Sequence, residues 1–364
     1  FETFLHCKFP KHKLVVRNLG WPADEITRSR GGVLMPRPKG FGNLHEQLAA
    51  QKADLIFACF GLNESFAGDT GLEKFERDLD AFLTELQMGK FNGKSPPRIV
   101  LISPIATEQV GGNRNTNLTA YTSVMAKVAT TRGIRFADLF SPTRKWMAEN
   151  KRQTLTFNGI HLTEYGDRIV SRMLAEALEL SGAPTNADPA GEKLRRMVYE
   201  KNHHFFIRWR GPNAEYIHGR RNRLPGAIKL PEEMAEYDKR IGELDRKIWD
   251  LPKPAPESLW ASSMPAQPIW ATPPKLTAPE FAEAQKMGRT ALLSPDEALK
   301  KFKVAPGYVV NLFASEVNFP LANPMALKFD ARGRLWVANT PTWPQPVPGV
   351  ADSDSIVIMD DTNH

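Results

Sequence analysis

The chain has 364 residues, 41% of them hydrophobic and 24% charged, a composition of ordinary globular proteins with room for two domains. Its 48 Lys and Arg against 41 Asp and Glu give a net charge of +7, but no nucleic-acid-binding module accompanies the excess, so nucleic acid is not expected as a partner. The longest apolar runs, such as Ala53–Phe60, are too short to span a bilayer, and two cysteines, Cys7 and Cys59, define neither a disulfide framework nor a zinc site.

Phe1–Phe9 reads as part of an amphipathic helix without signal-peptide architecture, and Met359–His364 stops just after a strand-like run. The expectation is a piece of a longer protein at both ends. Lys13–Asn18 is a short β-type run ending in the Leu19-Gly20-Trp21-Pro22 turn. Ala53–Phe60 has the near-continuous apolar character of a strand buried on both faces of a parallel sheet, with Cys59 as a small core residue. A helix follows, with Leu72, Phe75, Leu79, Phe82, Leu83 and Leu86 on one face. Arg98–Ser103 is the next buried strand, and Leu118, Tyr121, Val124, Met125 and Val128 mark a second helix. Ile134–Asp138 is a further strand. The last helix of this region carries Ile169, Met173, Leu174, Leu178 and Leu180. Strands alternating with helices predict an α/β fold with a parallel sheet covered on both faces, its strand C-terminal ends and the loops after them on one edge.

From Ala187 the pattern changes. Residues 187–251 read as an α-helical appendage, with basic residues concentrated from Arg195 to Arg223, basic and aromatic character from Lys193 to Tyr216, and Met234, Tyr237, Ile241, Leu244, Ile248 and Leu251 in the spacing of a helix–helix seam. In it, Arg208, Trp209, Arg210 and Asn213 are assigned to packing in preference to substrate contact, and the adjacent His203 and His204 point to different faces and make no metal site. Residues 252–290 are a Pro-rich linker holding Trp260 and Trp270. Ser294-Pro295-Asp296-Glu297 starts a short helix with an N-cap Ser, Pro at the first position and Glu at the third. Tyr308–Phe313, Ala326–Phe329, Leu335–Ala338 and Ser355–Met359 read as strands, with a tight turn at Asp330–Gly333, making one meander the size of a propeller blade over residues 291–364.

Chemistry concentrates in three loops. His161 lies in a Gly-containing turn ahead of a helix, three residues after Asn158, where a histidine can act as a general base. The Gly20 backbone N–H and the Asn63 side-chain amide are donors suited to a developing oxyanion. No Gly-rich phosphate loop follows an early strand, which disfavours a nucleotide site.

Asn18-Leu19-Gly20, Gly61-Leu62-Asn63-Glu64 and Asn158-Gly159-Ile160-His161-Leu162 resemble the second, third and fifth sequence blocks of the SGNH (GDSL-type) hydrolases, over roughly residues 1–185. The resemblance implies a flavodoxin-like three-layer α/β/α fold and ester hydrolysis, often deacetylation of carbohydrates, with an acylated carbohydrate or other small ester as substrate and no cofactor. By that match His161 is the base, Gly20 and Asn63 are the oxyanion donors, and Asn158 orients His161 where the family usually has Asp. Another acid such as Asp138 is one way to supply the missing charge, and Glu64 also stands where the family usually has Asp. The family's Gly-Asp-Ser block with the nucleophile is absent and is expected upstream of Phe1; Ser65 is not promoted in its place. Residues from about 290 resemble the start of the β-propeller of large planctomycete-type proteins that are similar to membrane-bound sugar dehydrogenases. This implies an intramolecular propeller partner and a periplasmic or extracellular location; no haem motif is present. The alternative to an esterase is an SGNH module that has lost turnover and holds glycan.

Overall fold

The computed structural model describes residues 1–29, 42–108, 114–151, 153–182, 186–210, 226–261, 293–342, 348–349 and 353–360. The chain forms two compact units, Phe1–Gln267 and Pro268–His364. Asn213, Trp270, residues 211–223 of the basic stretch and residues 262–290 of the Pro-rich stretch lie outside the described residues.

The first unit is built on a parallel sheet in the order β1 (Leu55–Cys59), β2 (Arg98–Ile102), β3 (Arg135–Ala137). Ahead of β1 the described residues form three short helices, α1 (Glu2–Lys8), α2 (Ile26–Ser29) and α3 (Leu44–Ala50). α4 (Leu72–Met88) connects β1 to β2 and α5 (Arg114–Arg132) connects β2 to β3. α6 (Phe140–Glu149) and α7 (Glu164–Ala177) follow. Side chains alternate across a strand, and β2 shows the result on both faces. Ile99 and Leu101 pack with Phe75, Leu79, Leu83 and Leu86 of α4 and Tyr121, Met125 and Val128 of α5. Val100 and Ile102 pack with Leu139, Leu155 and Val170 and the half-buried Trp146, Ile169 and Met173. The fold is therefore α/β with helices on both faces of a parallel sheet, as the alternation of elements predicts.

Two strand expectations need correction. β1 pairs with β2 alone, so it is an edge strand among the described residues; Leu55 and Cys59 are exposed, and Cys59 is not a core residue. Continuous apolarity does not distinguish a central strand from an edge strand, because the distinction depends on a neighbour. Lys13–Asn18 joins no ladder among the described residues. Its carbonyls are satisfied by side chains instead: the Trp249 indole N–H donates to Leu14 O at 2.8 Å and the Lys201 ammonium to Val16 O at 2.9 Å.

Those two donors belong to a helical pair, α8 (Pro189–Trp209) and α9 (Gly226–Asp250). Asp188 caps α8 and Pro189 occupies its first position. Phe205, Ile207 and Trp209 of α8 pack against Met234, Tyr237 and Ile241 of α9, together with Leu19 and Trp21. Leu194, Val198 and Ile248 close over Cys7 of α1. A one-turn helix, α10 (Ser258–Ala261), adds Leu259 and Trp260, the latter stacked on Phe4 at 4.7 Å between ring centroids.

In the second unit, α11 (Pro295–Leu299) carries the expected capping box: the Ser294 hydroxyl accepts from Glu297 N–H, and the Glu297 carboxylate accepts from Ser294 N–H. β4 (Pro324–Phe329), β5 (Leu335–Asn339) and β6 (Ser355–Met359) form an antiparallel meander. The turn before β5 is organised by Asp330, whose carboxylate accepts from Arg332 N–H, Arg334 N–H and the Trp336 indole. The predicted strand Tyr308–Phe313 is not one: it pairs with nothing described, and Tyr308, Val309 and Phe313 are exposed. Its β-branched and aromatic composition suits a pleated surface, but propensity alone does not provide a partner strand.

Candidate active site

Residues 155–163 form a miniature hairpin between α6 and α7. Thr156 bridges Leu162, Phe157 N–H donates to His161 O at 3.0 Å, and Thr163 N–H donates to Leu155 O at 2.8 Å. The tip turns at Gly159, whose φ of +89° is a conformation that side chains with a Cβ disfavour. Asn158 Oδ1 accepts from Ile160 N–H at 3.3 Å and His161 N–H at 2.9 Å, so one side chain folds the turn. The hairpin then runs into α7, where the Thr163 hydroxyl accepts from Gly166 N–H as N-cap.

The same Asn158 amide meets the His161 ring. Nδ2 lies 3.0 Å and Oδ1 3.1 Å from His161 Nδ1. Either contact is chemically usable, with opposite consequences. Donation from Nδ2 requires an unprotonated Nδ1 and puts the neutral ring's proton on Nε2. Acceptance by Oδ1 fixes the proton on Nδ1 and leaves Nε2 as a base. A carboxylate here permits only the second. His161 is exposed, and the exposed Phe157 ring stacks on it with centroids 5.7 Å apart.

Gly20 and Asn63 are each engaged within the chain. Gly20 N–H donates to Asn18 Oδ1 at 2.8 Å, and Gly20 O accepts from Arg210 at 3.1 Å. Asn63 Nδ2 donates one hydrogen to Asp24 O at 3.0 Å, leaving the amide its second hydrogen. Glu64 ties the same two loops together, accepting from Ile26 N–H at 3.0 Å and Gly61 N–H at 2.9 Å. Burial nevertheless pushes the Glu64 carboxyl above its usual range, despite these donors.

Two pairs of loops are bonded near the C-terminal ends of the strands. Residues 18–26 bond to residues 61–64. A cavity of about 220 Å³ is lined by Leu62, Phe66 and Thr107 among others, with Arg114 over the Phe66 ring. Glu108 N–H, in the loop after β2, donates to Gly159 O of the hairpin at 2.9 Å. Asn158 and His161 touch directly; Asn63 and Glu64 bond to Asp24 and Ile26, four and six residues after Gly20.

Other candidates take structural roles. The Ser65 hydroxyl is buried and donates to Leu62 O at 2.6 Å, turned back into its own loop. Asp138 accepts from Ser141 N–H in the first turn of α6 and from the Ser103 hydroxyl, not from His161. Arg208 pairs with Asp238, and Trp209 is buried with its indole on Gln47. Arg210 lies over the rings of Phe206 and Trp21. Two residues that shape the site carry no local sequence signal. They are Glu108, which meets the hairpin from 47 residues away, and Gly166, whose hydrogen stands against a hairpin carbonyl.

A family model described as a domain of unknown function, DUF7133, matches residues 294–364. No curated protein matches the chain. Among solved structures the chain is similar to a variant of Axe2, an acetyl-xylooligosaccharide esterase from Geobacillus stearothermophilus, at 17% identity over 50% of this chain and 80% of that one, with a TM-score of 0.39. It is similar to the acetyl xylan esterase AlAXEase at 19% identity, covering 44% and 78%, with a TM-score of 0.33. A putative GDSL-like lipase from Parabacteroides merdae matches at 16% identity, covering 44% and 70%, with a TM-score of 0.33. No helix among the described residues is long and apolar enough to cross a membrane.

Proposed function

We propose that the first unit is the scaffold of an SGNH-type ester hydrolase acting on acylated carbohydrate. The observation that carries this reading is the Asn158–His161 pair: an exposed imidazole held through Nδ1 on a folded turn, in a hairpin bonded to the loop after β2. In this reading His161 Nε2 takes the proton of a serine hydroxyl as it attacks the ester carbonyl. It then passes that proton to the departing sugar oxygen. The free hydrogen of Asn63 Nδ2 and the Gly20 N–H, once released by Asn18, meet the developing oxyanion. Among the described residues no serine hydroxyl is bonded to His161. We assign the nucleophile to residues preceding Phe1, whose ring packs edge-on against Phe57 of β1. The second unit we read as one blade of a propeller, from its three-stranded meander with the apolar Leu327, Phe329, Ile356 and Ile358 exposed.

The test is hydrolysis of p-nitrophenyl acetate. The full-length protein is expected to turn it over, His161→Ala to abolish that turnover, and the 364-residue chain alone to match the buffer rate. Full activity in His161→Ala would overturn the reading. Asn158→Asp is expected to raise kcat by about tenfold or more, since an acid there fixes the productive tautomer and stabilises the imidazolium. A second reading, a glycan-holding module without turnover, is favoured by the engagement of Gly20 N–H with Asn18. It predicts that Asn158→Asp leaves the rate at the buffer level.

A further inference from the structure

The Glu108 side chain is buried and faces the hairpin that carries His161. Its Oε1 accepts from Leu155 N–H at 3.2 Å, and its Oε2 from Thr156 N–H at 2.8 Å and the Thr156 hydroxyl at 2.7 Å. The Thr156 hydroxyl in turn accepts from Gly159 N–H at 3.1 Å, and Glu108 N–H donates to Gly159 O at 2.9 Å. One residue therefore holds the base of the hairpin with its carboxylate and the tip with its backbone. All three donors to the carboxylate point at it, and a carboxylate is the only side chain of this length that accepts on both oxygens and donates on neither. A glutamine must present two N–H groups to that cluster of donors. The hairpin's own cross-strand bonds are few, and a nine-residue loop held by so few is not rigid by itself. The Asn158–His161 contact sits at its tip.

We propose that Glu108 is a positioning residue: its carboxylate clamps residues 155–159 and so holds Asn158 and His161 in the geometry for proton transfer. The catalytic part of this proposal rests on the esterase reading; the clamp itself does not. Misplacement of a reacting group by about 1 Å costs on the order of a hundredfold in rate. Glu108→Gln in the full-length protein is therefore expected to lower kcat on p-nitrophenyl acetate about 100-fold, with KM changed less than about twofold. Thr156→Val, which removes one of the three donors, is expected to lower kcat by a smaller factor, and Thr156→Ser to restore it.

The clamp is measured separately in the 364-residue chain by amide hydrogen exchange. Leu155, Thr156 and Phe157 N–H are expected to exchange faster in Glu108→Gln while amides of β2 keep their protection. If Glu108→Gln does not fold, Thr156→Val is read in the same two assays. Unchanged exchange at the hairpin, or a kcat equal to wild type, overturns the proposal. Faster hairpin exchange in a protein whose wild type lacks esterase activity upholds the clamp and overturns the esterase reading alone.

Discussion

Gly166→Ala is expected to destabilise the first unit by about 3 kcal/mol, the upper part of the range for forcing an atom into a packed site. A Cβ at this position stands 2.0 Å from Leu155 O and 2.9 Å from Leu155 C, with Leu162 Cδ2 at 3.1 Å. The obstruction is backbone, so no rotamer change relieves it. Leu155 O also accepts from Thr163 N–H and the Thr163 hydroxyl, so moving it breaks the N-cap of α7 and shifts the hairpin with His161. The same substitution at Gly242, inside α9, is the comparison. Among the described residues a Cβ there meets only Arg246 Nη1 at 3.8 Å, and Ala is favoured over Gly in a helix by about 1 kcal/mol. Thermal unfolding of the two variants should move in opposite directions. A stabilised Gly166→Ala would mean that α7 does not pack against the hairpin backbone as described.

Lys201→Met is the second large effect. The Lys201 ammonium is fully buried and donates to Glu2 Oε1 at 2.7 Å, Val16 O at 2.9 Å and Asn202 Oδ1 at 2.8 Å. Glu2 also meets His6 at 3.4 Å and the Asn202 amide at 2.7 Å. Methionine fills much of the volume but leaves a buried carboxylate without its cation, a loss of about 3–5 kcal/mol. For a unit of this size that lowers the melting midpoint by on the order of ten degrees. Adding Glu2→Gln should recover part of the loss, because the two residues are coupled. The pair also sets a pH dependence. Burial acts to raise the Glu2 carboxyl, but the His6, Lys201 and Asn202 contacts outweigh it and hold it below its usual value. Its contribution is therefore present above the unfolded-state value and lost as pH falls through the lower folded one. Lys201→Met should flatten that acid-side decline in melting temperature; an unchanged slope would remove Glu2 as its source.

How much of this could be read from residues alone varied with the range of the interaction. Arg98–Ser103 announced a strand buried on both faces, and β2 is one, because it has a neighbour on each side as well as apolar residues facing both layers. The seam of Met234, Tyr237, Ile241, Leu244 and Ile248 is buried, because helical spacing by itself defines a face. Lys13–Asn18 and Tyr308–Phe313 had strand composition without strand partners among the described residues. In the candidate site, Asn158 and His161 are three residues apart, and a turn suffices to bring them together. Glu108 and Gly166 were not legible: the first matters through donors that lie 47 and 48 residues away, and the second through a hydrogen atom that fits where a methyl does not.

The bonds that hold Lys13–Asn18 tie the history of two segments together. Arg17 forks onto Asp245, Val16 O rests on Lys201 and Leu14 O on Trp249, so the run leading to Gly20 is supported by side chains more than 180 residues downstream. A relative that dispensed with α8 and α9 would leave the Leu14 carbonyl without its indole donor, the Val16 carbonyl with Arg17 in place of Lys201, and the guanidinium without its carboxylate. The helical pair and the run before Gly20 are therefore expected to be gained, lost and rewritten together, and co-variation of positions 17 and 245 across descendants of a common ancestor is where that shared inheritance should be recorded.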